Sequence, residues 1–357
     1  MRQQTMNQTM NHAMKAAVLV VAMCAALLVG LSGDGCGAAT DLPKSVTLVT
    51  GRVGSSNYAF GVGVTNLIAK TTGIKAVPEG GTYGKNLILL HRKEAEFILC
   101  NNDLAYTGAR GLEDFKKYGK IQGRLMFSGS TSSPMVYVTR RDANIKSVAD
   151  FKGKKIMSEN PGNTTYHKGT DMFFEAAGIT RADVQVLSYS GHEEGDMAIK
   201  EGRVAAYLHP QIVTSIIPFM QELSLQVPLR LVSVPDKNID ALIPKYPYFR
   251  KDILPAKVYG EMTDNKDLAG IGVLEIFMCH AGLSDELVYR VMKAIFDNLP
   301  ELGSYTPMAR IWTENPLVAP VIPYHAGAVR YYKEKKMWTE AAESKQKQLL
   351  TEVGASQ

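Results

Sequence analysis

Four cysteines in 357 residues are too few for a disulfide-stapled scaffold. No Gly-x-Ser-x-Gly nucleophile turn occurs, and the stretch HEEGD at His192 has one histidine where a zinc helix needs two. The seven histidines form no ligand-spaced cluster, and the methionines are spread along core-like positions rather than grouped for copper. These gaps argue against an enzyme, a metal site and a cofactor. No internal repeat and no low-complexity linker divide the chain. The longest apolar run, Ala16 to Leu31, is short for a membrane span, and no second one follows. A formal net charge of +5 is too weak for nucleic acid to be the expected partner.

What the N-terminus does have is a polar start with Arg2 and Lys15, then the apolar run, then small residues through Ala39. This pattern reads as a signal peptide over residues 1–39, with Gly37 and Ala39 forming a small-x-small cleavage site. The expected location is therefore periplasmic. Cys36 offers a lipoprotein alternative, but Gly33 and Asp34 stand where a lipid-attachment box wants other residues. Removing Arg2, Lys15 and Asp34 from 40 basic and 35 acidic residues leaves 38 and 34, so the remaining chain is only mildly basic. It is long enough for two packed lobes. Cys100 and Cys279 both end apolar runs, FILC and IFMC, and read as buried thiols; the alternative is a bridge between them.

From Ser45 onward, β-branched runs alternate with helical patterns, which predicts an α/β fold with two mainly parallel sheets. The first takes strands at 46–50, 74–77, 97–100 and 125–127. The second takes 135–139, 155–157, 184–187, 204–208, 229–234 and 273–278. Lobe I is expected to comprise residues 40–134 and 281–357, and lobe II residues 135–280, with two crossings near Ser132 to Pro134 and Cys279 to Gly282. Ser284 followed by Asp285 and Glu286 starts a helix with an apolar stripe from Leu287 to Phe296. The segment Pro244 to Tyr259, with three prolines and several aromatics, reads as an irregular excursion roofing a crevice.

Loops after parallel strands line a ligand crevice at the strands' carboxyl ends. After the strand at 155–157, Asn160, Pro161, Gly162 and Asn163 make a turn that opens a helix, whose unpaired amides favour a carboxylate or phosphate. Opposite it, Ser55, Ser56 and Asn57 stand where the first strand turns into a helix ending near Gly73, and Gly81 lets the backbone come close to a ligand before Thr82 and Tyr83.

These loops carry a resemblance. The segments GRVGSSNYAFGVGVTNLI, EGGTYGKNLILL, FILCNNDLAYTGARG, IKSVADFKGKKI with ENPGNTTYHKGTDMFFEAAGIT, and PYHAGAVRYYKE are similar to those of TAXI solute-binding proteins, the extracytoplasmic receptors of one class of TRAP transporter. The resemblance spans most of the chain after residue 39. It implies a periplasmic-binding-protein type II-like fold, two lobes joined by two hinge crossings. It also implies capture of a small organic acid, a dicarboxylate, 2-oxoacid or acidic amino acid, for delivery to a TRAP-type membrane permease. The family's turn patterns are altered at Gly54 to Phe60 and at Gly162 to Thr165.

The expected ligand contacts are Ser55, Ser56, Asn57, Tyr58, Gly81, Thr82, Tyr83, Asn101, Asn102, Asp103, Ser133, Asn163, Thr164, Thr165, Tyr166, His209 and Tyr259. Asp103 either meets a ligand ammonium or caps the following helix. Arg52 and Lys85 are the basic groups nearest these loops, and His325 either reaches the crevice or fixes a helix start. Two other readings remain open at this level: a bilobal sensor reporting to a membrane partner, and a receptor for a neutral or apolar molecule, suggested by Ala59, Phe60 and the tyrosine-rich segment.

Overall fold

A computed structural model describes residues 42–129, 133–161 and 163–354. The expected signal peptide, with Ala39 and Cys36, lies outside them, as do Ser132 and Gly162. The described chain folds as a two-lobed α/β protein with one mixed sheet in each lobe.

The first sheet has strands β1 (Ser45–Val49), β2 (Lys75–Glu79), β3 (Phe97–Asn101), β4 (Gly123–Ser128) and β12 (Glu275–His280), in the order β2-β1-β3-β12-β4. The pairs β2–β1 and β1–β3 are parallel, whereas β12 is antiparallel to both of its neighbours. The second sheet has β5 (Ser133–Arg140), β6 (Lys155–Glu159), β7 (Gln185–Ser188), β8 (Ala206–Pro210), β9 (Leu229–Val232), β10 (Arg250–Leu254) and β11 (Leu268–Val273). Only β6–β7 and β6–β8 are parallel there.

Three expectations are corrected. The sheets are mixed rather than mainly parallel, because β5, β11 and β12 run against their neighbours. The strand expected at 273–278 in the second sheet is β12, and it inserts between β3 and β4 of the first. The chain therefore changes sheets between β11 and β12, at Leu274, rather than at Cys279 to Gly282. Within the segment expected to be irregular, Arg250–Leu254 pairs with Leu268–Val273 as an edge strand. Its charged residues are typical of a protected sheet edge and hide its strand character.

Helix α1 (Ser56–Thr72) shows why the first lobe holds together. Ser55 caps it, accepting a 3.2 Å hydrogen bond from the Tyr58 amide, and Gly73 ends it at φ 74°, which suits glycine. Phe60, Val64, Leu67 and Ile68 recur at helical spacing and are all fully buried. Phe60 packs edge-on against Phe127 and Phe277, which stack on each other with centroids 5.0 Å apart. Each such ring contributes roughly 1.5–3 kcal/mol of burial. The second lobe centres on Tyr137, packed edge-on against Phe151 and Phe173.

Cys100 and Cys279 are free and buried, and both belong to the first sheet. His325 fixes a helix start: its Nδ1 accepts from the Gly327 amide at 3.1 Å. Among the described residues no helix is long and apolar enough to cross a membrane.

Candidate functional site

The site is a cavity of ≈ 320 Å³ lined by Gly51, Arg52, Ser55, Asn57, Gly81, Thr82 and Tyr83 from the first lobe and Asn160, Asn163, Tyr166, Ser190, Gly191, His192 and Glu193 from the second. Four helices begin on it: α1, α2 (Tyr83–His91), α4 (Thr165–Ala177) and α5 (His192–Lys200). The remaining first-lobe helix at this end, α3 (Asn102–Arg110), starts on the interlobe seam beside it.

The first-lobe wall depends on close backbone approach. Gly81 donates its amide to the Gly51 carbonyl at 3.2 Å. A Cβ on Gly81 would meet Asn86 Oδ1 at 2.1 Å, and one on Gly51 would meet Ser55 Oγ at 2.9 Å, so neither position has room for a side chain. Buried Asn86 ties this wall to the sheet, donating to the carbonyls of Thr50 and Leu99 at 2.9 Å each.

Helices α1, α2 and α5 keep opening amides available. Those of Ser56 and Asn57, of Tyr83 and Gly84, and of His192 and Glu193 have no hydrogen-bond partner among the described residues. Helix α4 differs, and here the expected amide cradle is corrected. Asn163 accepts from the Thr165 amide through its side chain and from the Tyr166 amide through its carbonyl, and the His167 amide bonds to Thr164. The turn satisfies the helix's first amides itself, so this wall presents the side chains of Asn163 and Tyr166 instead.

Charge around the cavity is uneven. Arg52 crosses the mouth to donate to the Ser190 carbonyl at 2.8 Å. Glu194 is spent on Ser190, which leaves Glu193 as the exposed carboxylate of the lining. His192 is held below the usual histidine range by burial, and Arg52 adds to the effect. Its ring lies 4.3 Å from that of His209. Behind the first-lobe wall is Glu275, whose Oε1 accepts from Asn57 Nδ2 at 2.7 Å and from the Tyr83 hydroxyl. Burial pushes the Glu275 carboxyl up, and those two hydrogen bonds pull it partly back. The Tyr83 hydroxyl is raised far above its ordinary value by burial and by the Glu275 charge.

Of the sequence-predicted contacts, Ser55, Asn57, Gly81, Thr82, Tyr83, Asn163 and Tyr166 line this cavity. Ser56 is exposed at the first turn of α1, and Tyr58 is half-buried and engaged in the cap. Asn101, Asp103 and Thr165 meet in a buried interlobe seam: Thr165 Oγ1 accepts from Asn101 at 3.0 Å and donates to Asp103 at 2.8 Å. Asp103 also pairs with Lys168 at 3.1 Å. Asn102 is bonded both ways to Leu274, donating its amide to that carbonyl at 2.9 Å and accepting that amide on its side chain at 3.2 Å.

Ser133 opens β5 beside Val273. His209 is buried beneath His192, with Gln211 on its Nδ1. Tyr259 is buried too, its hydroxyl donating to the Ile212 carbonyl at 2.6 Å, so it braces a loop rather than forming a lid. Thr164 lines a separate cavity with Glu113, Lys168 and Tyr248, so Ser56 and Thr164 share no cavity although their neighbours do.

The sequence reading missed Asn160 as a ligand contact, together with Gly51 and all of Ser190 to Glu193. A signal for the last was available: Ser190-Gly191 before the acidic pair Glu193 and Glu194 is helix-start chemistry directly after a strand.

The sequence profile of the NMT1-like family matches residues 48–335. Among solved structures, XAC2383 from Xanthomonas citri bound to ATP aligns with a TM-score of 0.51 at 9% identity, over 87% of this chain and 97% of that one, which shows a shared fold. The periplasmic aliphatic sulphonate binding protein SsuA from Escherichia coli aligns at 0.45 and 13% identity, over 85% and 92%. The substrate binding protein of an amino acid ABC transporter aligns at 0.42 and 14%, over 76% and 100%.

Proposed function

The chain belongs to the NMT1-like family, and on that premise we propose that it is an exported solute-binding receptor that captures a small organic acid between its lobes. One observation carries this reading: the unpartnered opening amides of α1, α2 and α5, drawn from both lobes, converge on a single cavity. Such amides and the helix dipoles behind them stabilise a carboxylate. The cavity volume suits a molecule of metabolite size. Arg52 closes the mouth and adds the one basic side chain of the lining, while Ser55, Asn57, Thr82, Tyr83, Asn163 and Tyr166 fix the ligand's orientation. A shut cavity excludes water, which strengthens each of these bonds. The lining is made mainly of groups that hold an anion, so the work is read as retention and release rather than bond-making. The bound acid is then passed to a membrane permease of the TRAP type, as the motif resemblance implies.

Thermal-shift screening of the purified chain against mono- and dicarboxylates, 2-oxoacids and amino acids tests the reading. At a hundredfold excess over Kd, a true ligand stabilises the fold by about 2.7 kcal/mol. Failure of every acid to raise the melting temperature would overturn it.

A further inference from the structure

We propose that Glu275 selects a ligand carrying a protonated amine, so that the captured acid is an amino monocarboxylate, an amino acid with an uncharged side chain, rather than a dicarboxylate. This rests on the receptor reading above and narrows the class of acid.

The first ground is geometric. Glu275 opens β12 immediately after the crossing at Leu274, and its Oε1 accepts from two residues of the cavity wall, Asn57 and Tyr83. The carboxylate thus lies one side chain deep behind the surface that the ligand touches. Its second oxygen accepts no hydrogen bond among the described residues, and no basic side chain among them pairs with it. Glu275 is half-buried, and a carboxylate partly withdrawn from water without a cation is costly; proteins ordinarily supply the counter-charge from a side chain, a metal or a ligand. Among the described residues no group of three metal-ligating side chains exists. A cation brought in by the guest would supply that counter-charge.

The second ground is the charge of the lining. Arg52 is its one basic side chain, Glu193 is acidic, and burial lowers the His192 imidazole against the opposing pull of Glu193. One carboxylate finds Arg52 and the free amides of three helices. A second would find no further side-chain cation and would lie near Glu193 or Glu275. An ammonium in that place meets attraction instead, because opposite charges within about 4–6 Å favour each other's charged forms.

The test uses two matched pairs that differ only at the amine, L-alanine against L-lactate and L-2-aminobutyrate against L-2-hydroxybutyrate, and adds L-glutamine against the dicarboxylates 2-oxoglutarate and succinate. Calorimetric titration of the full chain is expected to show at least tenfold tighter binding of the amine-bearing member. Glu275→Gln keeps an acceptor for Asn57 and Tyr83 but removes the charge, and should shrink that preference about tenfold while leaving the hydroxy acids unchanged or tighter. Tighter binding of the hydroxy acids or dicarboxylates by the unaltered chain overturns the amine assignment and leaves the receptor reading standing. So does a Glu275→Gln variant with an unchanged preference. If no acid binds, both readings fall. The matched pairs on the unaltered chain decide by themselves should the variant not fold.

Discussion

Arg52 and Ser190 are 138 positions apart, yet the guanidinium of one donates to the carbonyl of the other across the cavity mouth at 2.8 Å. The bond ties the loop after β1 to the loop after β7, and Arg52 is exposed on its outer side. On the receptor reading proposed above, it would serve as a surface latch on the closed lobes. An exposed charge-assisted bond of this kind is worth about 1 kcal/mol. Arg52→Gln should weaken ligand binding roughly fivefold, and X-ray scattering of the variant should show a larger radius of gyration at subsaturating ligand. Equal affinity and equal compactness would remove the latch role.

The seam behind the cavity carries more weight. Lys168 pairs with fully buried Asp103 at 3.1 Å and with Glu113 at 2.9 Å. Burial pulls the Lys168 ammonium down, but the two carboxylates outweigh it and hold it above its ordinary value. Lys168→Met would strand the Asp103 charge, at a cost of about 3–5 kcal/mol for a broken buried pair. Adding Asp103→Leu should recover part of that loss. Urea unfolding of the single and double variants measures both, and a Lys168→Met midpoint matching the unaltered chain would contradict the assignment.

Thr165 belongs to the same seam and not to the cavity lining. Thr165→Ala removes a donor to Asp103 and an acceptor for Asn101, both buried. It should lower stability by about 1–3 kcal/mol. Any drop in affinity should follow from weaker closure, with the ligand preference order unchanged; an altered order in competition binding would show direct contact instead.

At Gly81 the prediction is steric. A Cβ there meets Asn86 Oδ1 at 2.1 Å and Val49 Cγ1 at 2.8 Å, and Asn86 is pinned by two backbone carbonyls. Gly81→Ala should cost about 1–3 kcal/mol and displace the Thr82 and Tyr83 wall, with affinity falling at least tenfold. Near-wild-type values in melting and titration would show that the loop gives way freely.

Acid should loosen the second lobe through His209. The residue is fully buried, and burial, reinforced by His192, holds its imidazole well below the usual range. Above the unfolded value near 6.5 neither state carries the proton, so nothing changes. Below it the unfolded chain is protonated and the folded one is not, so stability falls by about 1 kcal/mol between pH 7 and 5.5. Asp196 works in the opposite sense: burial raises its carboxyl to about 6, so it favours the folded state as pH falls through that value towards 3.8. Asp196 is common to both chains, so the difference between His209→Asn and the unaltered chain isolates His209: from pH 7 to 5.5 the variant's melting temperature should fall less than that of the unaltered chain, or rise.

Most strands were legible because apolar runs such as those of β1, β3 and β5 have few other uses between turn signals. The placement of β12 was not legible, since EIFMCH suits any buried strand and periodicity says nothing about sheet partners. β10 was obscured because its charges are those of an edge. The first-lobe wall was readable from turn chemistry around Ser55 to Asn57 and Gly81 to Tyr83. Asn101 to Asp103 and Thr165 have the same polar composition as that wall, yet they face the opposite lobe's backbone and side chains. Only the tertiary arrangement separates a residue that holds the lobes together from one that would hold a guest.

Leu274, the one residue between β11 and β12, has both its amide and its carbonyl bonded to Asn102. That double grip fastens the spine to the first half of the molecule. On the receptor reading proposed above, opening would twist the chain on the Val273 side, so the second half would turn like a page about a bound edge, with Asn102 setting where the fold of the paper lies.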